Sequence, residues 1–396
     1  CVSAPRHVNP LNRAFIEASQ ACGLPRNDDF GGATEEGVGL YSVAQDNGRR
    51  CSNADAFLHP VADRKNLTVI TRARAKKVLI EGKRAVGVTY KKGWFGGDHS
   101  LRAKCEVLLC GGAINSPQLL LLSGVGPKSE IEPHGIPVVH ELKGVGRNLQ
   151  DHLDVSVIDI EKTKLSLRLG PKFLLIEAPK AVYEYFAHGR GQLASNVAES
   201  GGFARSDKSQ PRADLQLHFI ATIEQDHGHN LWNTIKHYGY TLRVCDLRPK
   251  SRGYIGLKSA DPMADALIDP NYLDHPDDLA QLVKAVKLGR KILRAEPLAG
   301  HRERELEPGE TVASDAEIEA FIRNRAETIY HPVGTCKMGH DDEAVVDDRL
   351  RVHGMQGLRV VDASIMPTLV GGNTNAPTTA IAEKAADMIL EDRLTA

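Results

Sequence analysis

Apolar residues recur at helical spacing at Leu11, Phe15, Ile16 and Cys22, behind an Asn9-Pro10 start that offers a cap and a first-turn proline. A helix is predicted there, ended by Gly23-Leu24-Pro25. Residues 29–53 are rich in Gly and Asn without periodicity and predict a long ordered loop. From Leu67 the pattern shifts to short runs of Val, Ile, Leu and Thr at 67–71, 76–81, 84–90 and 101–110, broken at Gly82 and Lys92-Gly93, which predicts a strand meander. Its last strand, ending Val107-Leu108-Leu109-Cys110, runs into Gly111-Gly112-Ala113, and Asn115-Ser116-Pro117 begins a helix to Leu122. A buried strand, a glycine turn and a helix make half of a doubly wound unit.

Residues from about 153 to 330 mix a helix near 178–188 with strands at 213–221, 240–247 and 253–257, an antiparallel α+β pattern closed by helices at 277–294 and 315–323. Leu358–Val361 is a short buried strand ending at Asp362, and after a loop an alanine-rich helix runs from about Ala376 to Glu391. The strand–loop–helix pattern has returned.

The chain has 396 residues, enough for two or three domains or one two-lobed unit. Fifty Lys and Arg against 51 Asp and Glu, with no block of like charges, argue against a nucleic-acid partner. No apolar run reaches the roughly 18 residues of a membrane span. Seven scattered cysteines without C-x-x-C suggest neither a disulfide framework nor a zinc ribbon, and a reducing, cytoplasmic setting is the default, with peripheral contact at the inner membrane left open. His227-Gly228-His229 beside Asp226 reads as a solvated loop rather than a metal site. G-x-G-x-x-G, Walker A, H-E-x-x-H and G-x-S-x-G do not occur.

Longer strings carry more. CGGAINSPQLLLLSGVG at 110–126, YHPVGTCKMG at 330–339 and VVDASIMPTLVGGNTNAPTTAIAEKAADM at 360–388 resemble three signatures of the glucose–methanol–choline (GMC) family of FAD-dependent oxidoreductases. GVGRNLQDH at 144–152 and LRPKSRGYIGL at 247–257 are similar to its choline-dehydrogenase and alcohol-dehydrogenase branch. The strings stand in family order over nearly the whole chain. One departure is large: the family's opening βαβ unit with G-x-G-x-x-G, roughly its first 150 residues, has no counterpart here. With the Cys1 start, the chain is read as an N-terminally truncated copy or a fragment that binds FAD weakly or not at all by itself.

The resemblance implies an α/β plus α+β fold, with a truncated doubly wound FAD-binding lobe from 59–149 and 355–396 and an antiparallel-sheet substrate lobe from 1–58 and 150–354. It implies oxidation of a primary alcohol to an aldehyde, hydride passing to flavin N5 and electrons onward to a quinone or another acceptor. His331, in the Tyr-His-Pro turn, is then the base that takes the hydroxyl proton, and Asn373 holds the substrate oxygen. For the cofactor it implies Asp362 and Ala363 near the ribityl–pyrophosphate portion, Ala75 at adenine, Gly111 where the dinucleotide approaches closely, and Thr374 with Asn375 at the helix start that faces the flavin. Asn375 is read mainly as a helix cap, and Asp362 has capping of the next turn as its other reading. Glu199 either holds a cationic alcohol such as choline or is a structural carboxylate. Two other outcomes stay open: a non-catalytic remnant or binding module, and a lyase on the same scaffold.

Overall fold

The computed structural model describes residues 2–93 and 96–395; Cys1, part of the expectation of a truncated start, lies outside them. The chain divides into two compact units. One comprises Cys1–Arg64, Leu153–Arg248 and Pro276–Thr328, the other Lys65–His152, Pro249–His275 and Ile329–Ala396.

The first unit is built on an antiparallel sheet in the spatial order Gly37–Leu40, Ser200–Ala204, Leu215–Ile220, Gly239–Asp246, Leu153–Glu161 and Arg302–Glu307, with Glu327–Thr328 pairing at the start of Leu153–Glu161. Every residue of Gly239–Asp246 is buried, so this strand is covered on both faces. Helix Pro276–Leu293 packs close to the sheet at Gly289, where a Cβ would stand 3.2 Å from a Val157 methyl. Helix Pro10–Ala21, capped as predicted by Asn9, stacks Phe15 on Phe219 with ring centroids 4.7 Å apart.

The expected loop at 29–53 contains a strand that composition hides. Val38 and Gly39 pair with Gly202 and Gly201, so the pairing is carried by backbone, with few side chains to set a period. Leu153–Glu161, buried along most of its length, likewise shows no simple alternation.

The second unit holds a three-stranded antiparallel sheet, Ala73–Glu81, Arg84–Lys92 and Asp98–Arg102, and a parallel pair, Val107–Leu109 with Leu358–Val360. The predicted run 101–110 is thus two strands in two sheets, and Leu67–Thr71 forms none. Strand Val107–Leu109, the turn at Gly111 and helix Gly112–Leu122 form the expected half of a doubly wound unit, and Leu120, Leu121, Val346, Leu358 and Val360 lie together in its core. The units differ in extent from the sequence reading: residues 249–275 and 329–354 belong with the parallel pair rather than with the large antiparallel sheet.

Helix Gly112–Leu122 starts one turn before Asn115, leaving Pro117 inside it. Proline cannot donate to the carbonyl four residues back, that of Ala113. The buried Thr335 hydroxyl donates to this carbonyl at 2.6 Å and closes the gap. Thr335→Val, equal in shape but without the donor, should therefore lower stability by about 1–3 kcal/mol in denaturant unfolding. Thr335→Ser should recover part of that loss, and equal losses in both variants would show that the hydroxyl is not what matters.

Candidate active site

Asn148–His152 and Ile329–Gly334 run side by side. Gln150 and Val333 exchange backbone hydrogen bonds at 3.1 and 2.9 Å, and the His152 carbonyl accepts from the Ile329 N–H at 3.1 Å. Between these rungs the chain turns sharply. Tyr330 has a φ of +64°, a conformation that a bulky residue keeps only where its surroundings hold it. What holds it is Asp151: one carboxylate oxygen accepts the His331 backbone N–H at 2.8 Å and the other accepts the Tyr272 hydroxyl at 2.5 Å. Pro332 keeps His331 extended from the other side. At Gly334, with φ +95°, a Cβ would lie 2.4 Å from the Asn148 carbonyl, so this close approach requires glycine.

The His331 side chain is 8% exposed, and burial pushes its pKa down to about 4, so the ring is neutral near pH 7. Its Nε2 lies 3.2 Å from Asn373 Nδ2 and its Nδ1 3.0 Å from His152 Nδ1. An amide nitrogen only donates, so Nε2 is the acceptor. The ring proton of a neutral imidazole then sits on Nδ1 and is donated to His152. The arrangement presents an unprotonated Nε2 beside an amide donor, which is what abstraction of a hydroxyl proton requires.

Ala75 and Gly111 line one cavity of about 760 Å³, together with Leu109, Asn115 and Ser116. Asp362 is 5% exposed and accepts four hydrogen bonds: from the Gly112 N–H at 2.9 Å, the Ser116 hydroxyl at 2.5 Å, and the N–H and hydroxyl of Ser364 at 2.8 and 2.5 Å. It caps the next turn and pins the end of strand Leu358–Val360 to the start of helix Gly112–Leu122. The Ala363 carbonyl accepts from the Gly334 N–H, which ties the turn Ala363–Ile365 to the histidine segment. Thr374 stands just before the C-terminal helix and Asn375 is its first residue, one place past the cap expected of it. Glu199, in the other unit, is buried and accepts from the Asn9 N–H, Asn12 Nδ2 and Ser195 Oγ at 2.6 Å each. These bonds anchor helix Pro10–Ala21, a structural role. His227 bonds to Glu327 and Arg243 in a salt-bridge network, and no group of three metal-ligating side chains occurs among the described residues.

Two GMC oxidoreductase profiles match the chain, one over residues 2–154 and one over 249–382. An alcohol dehydrogenase [acceptor] of Pseudomonas putida is 50% identical over 392 residues, covering 98% of this chain and 70% of that protein. The chain belongs to the GMC oxidoreductase family. An oxygen-dependent choline dehydrogenase of Yersinia pseudotuberculosis is 44% identical over 382 residues, 96% of this chain and 66% of its own length, so the chain spans about two thirds of such relatives. Among solved GMC-like structures, a pyridoxine 4-oxidase from Mesorbium loti superposes with a TM-score of 0.83 at 31% identity, over 98% of this chain and 71% of that one.

FAD is the cofactor of GMC oxidoreductases. The residues present fit it. The cavity beside Ala75 and Gly111 has the size of a ligand pocket, and at Gly111 a Cβ would crowd Asn115 and Ser116 at 3.0 and 3.1 Å, keeping that turn bare. Sequence reasoning missed Asp151, His152 and Tyr272. The string GVGRNLQDH was the available signal for the first two; nothing around Tyr272 marked it.

Burial of a neutral His331 makes stability depend on pH. Its folded pKa of about 4 lies below the ordinary value of 6.5, so its contribution is complete above about pH 6.5 and is lost as pH falls toward 4. Between those limits the wild-type chain should lose about 3 kcal/mol relative to His331→Gln. Other titrations, such as that of the buried Asp246 carboxyl pushed up to about 7, cancel in the comparison. Denaturant unfolding of both proteins at the two pH values is the check, and a constant difference would contradict a buried, neutral ring.

Proposed function

We propose that this protein oxidises a primary alcohol to its aldehyde, with His331 as the base and Asn373 as the donor that holds the alcohol oxygen. The single observation that supports this best is the pairing of an unprotonated, buried His331 Nε2 with the Asn373 amide at 3.2 Å. A substrate hydroxyl placed between them takes over both roles: it accepts from Asn373 Nδ2 and donates its proton to Nε2. FAD supplies the hydride acceptor. His152 keeps Nδ1 of His331 occupied, so only Nε2 is offered to the substrate. Asp151 and Tyr272 fix the backbone from which the ring projects, which keeps the base within hydrogen-bond reach.

The positive end of helix Asn375–Thr395 begins two residues after Asn373 and favours negative charge developing near the site. Electrons pass on to a quinone or a related acceptor, in keeping with the acceptor-linked alcohol dehydrogenase as a relative. A quaternary-ammonium alcohol has less support, because the Glu199 carboxylate is already taken by Asn9, Asn12 and Ser195.

Anaerobic bleaching of the flavin band by short aliphatic, aromatic and quaternary-amine alcohols tests the reaction, measured on the chain joined to the family's opening βαβ unit and with rates normalised to bound flavin. His331→Ala should slow reduction about 10²–10⁴-fold at unchanged flavin content. Asn373→Ala should cost about 1–3 kcal/mol of barrier. An unaltered rate per flavin in His331→Ala would remove the histidine from the chemistry.

A further inference from the structure

The hairpin Tyr254–Gly256 with Leu267–Asp269 has no part in the chemistry described above, yet its loop reaches the cavity beside Ala75 and Gly111, where Pro262 and Asp265 belong to the lining. Its base is fixed in the core. Leu149 and Gly253 exchange backbone hydrogen bonds at 3.0 and 2.9 Å, and Leu149, Ile255 and Ala266 pack together as buried apolar residues. Its tip is shaped in advance: the Asp261 side chain accepts the Met263 N–H at 2.9 Å, and the Asp261 carbonyl accepts the Ala264 N–H at 3.0 Å. The Ala264 carbonyl in turn takes donors from two elements that wall the cavity, Arg74 on strand Ala73–Glu81 at 3.2 Å and Gln118 on helix Gly112–Leu122 at 3.1 Å. One carbonyl therefore ties the loop to both walls.

The lining limits what fits there. Ala75, Val88, Leu109 and Leu119 give apolar surface suited to a flat ring, and beside them stand two exposed polar side chains, Asn115 and Asp265, that make no hydrogen bond among the described residues. The Asn115 amide donates and accepts at once, which matches the edge of a purine. An ionised carboxylate only accepts, which matches the neighbouring hydroxyls of a ribose. His152, His331 and Asn373 do not line this cavity, so it takes the part of a dinucleotide remote from the reacting atoms.

We propose that the hairpin tip, residues 258–265, is a clasp for the adenosine end of FAD, in which Asp265 accepts from the ribose hydroxyls while Arg74 and Gln118 hold the tip in place through Ala264. The inference rests on FAD as the cofactor and not on an alcohol as the substrate. Failure of every alcohol to reduce the flavin would bear on the reaction alone, so the two readings fail separately.

Ligand-observed saturation-transfer NMR on the 396-residue chain tests the clasp without any turnover. ADP should bind with a dissociation constant of about 1 mM, displaced by FAD but not by FMN. 2′,3′-Dideoxy-ADP, which lacks both hydroxyls, should bind about five- to tenfold more weakly. Asp265→Ala should weaken ADP by about the same factor and erase the difference between the two nucleotides. The direction separates this role from a plain charge effect, because a carboxylate repels a diphosphate and its loss would otherwise strengthen binding. Arg74→Ala frees the tip and should shrink the difference between the nucleotides, a ratio that the arginine charge does not affect, since both carry the same phosphates. Arg74 and Asp265 are exposed, so circular dichroism should show an intact fold in each variant. Absence of ADP binding, its displacement by FMN or by an equal concentration of pyrophosphate, or an unchanged or tighter hold on ADP in Asp265→Ala would overturn the proposal.

Discussion

The arrangement around His331 depends on the stretch Asn148–His152, four of whose residues, Asn148, Gln150, Asp151 and His152, hold different parts of the surrounding chain. Asn148 donates to the carbonyls of Gly334 and Pro367. Gln150 exchanges backbone bonds with Val333, and its side chain accepts from Leu369 and donates to Pro367. Asp151 takes the His331 N–H, and His152 meets the His331 ring. Without these contacts the positive φ at Tyr330 would lack support, and the imidazole would have no fixed direction. Because most of these groups are buried, each bond also avoids the cost of an unsatisfied polar atom, about 1–3 kcal/mol apiece.

The same logic separates structural from chemical carboxylates. Asp151, Asp362 and Glu199 are all nearly inaccessible, and all accept protein donors at short distance. A buried carboxylate whose oxygens are filled in this way joins segments far apart in sequence; Asp362 links a strand end to a helix start 250 residues earlier. His331 differs. Its Nε2 faces a single amide at 3.2 Å, a contact that a hydroxyl can replace. Neutrality comes from burial, and direction comes from the neighbouring ring.

Much of this was legible in the sequence because it is local. Asn9-Pro10 fixes a helix start, Glu106–Leu122 spells out strand, glycine turn and helix, and the family strings point to His331 and Asn373. What was not legible is set by partners distant in sequence. The strand Gly37–Leu40 is defined by backbone pairing with residues 200–203, in which Gly39 faces Gly201 and Val38 faces Gly202, so few side chains mark it. Helix Gly112–Leu122 tolerates Pro117 through a threonine 222 residues away from Ala113. The role of Asp151 appears only when the backbone of His331, 180 residues on, is brought to it; the capping by Asp362 of its own turn was legible, but its tie to Gly112 and Ser116 and that of Glu199 to Asn9 and Asn12 come from partners far away in sequence.

The His331 ring is neutral, with its proton on Nδ1 and Nε2 open as an acceptor. Long-range proton–nitrogen correlation spectra of the histidine-labelled protein measure this directly, with the His331 signals identified by their loss in His331→Gln. A neutral Nδ1–H tautomer is expected from about pH 8 down to about pH 5, with titration only at about 4. Titration near the ordinary value of about 6.5, or a proton resident on Nε2, would contradict it.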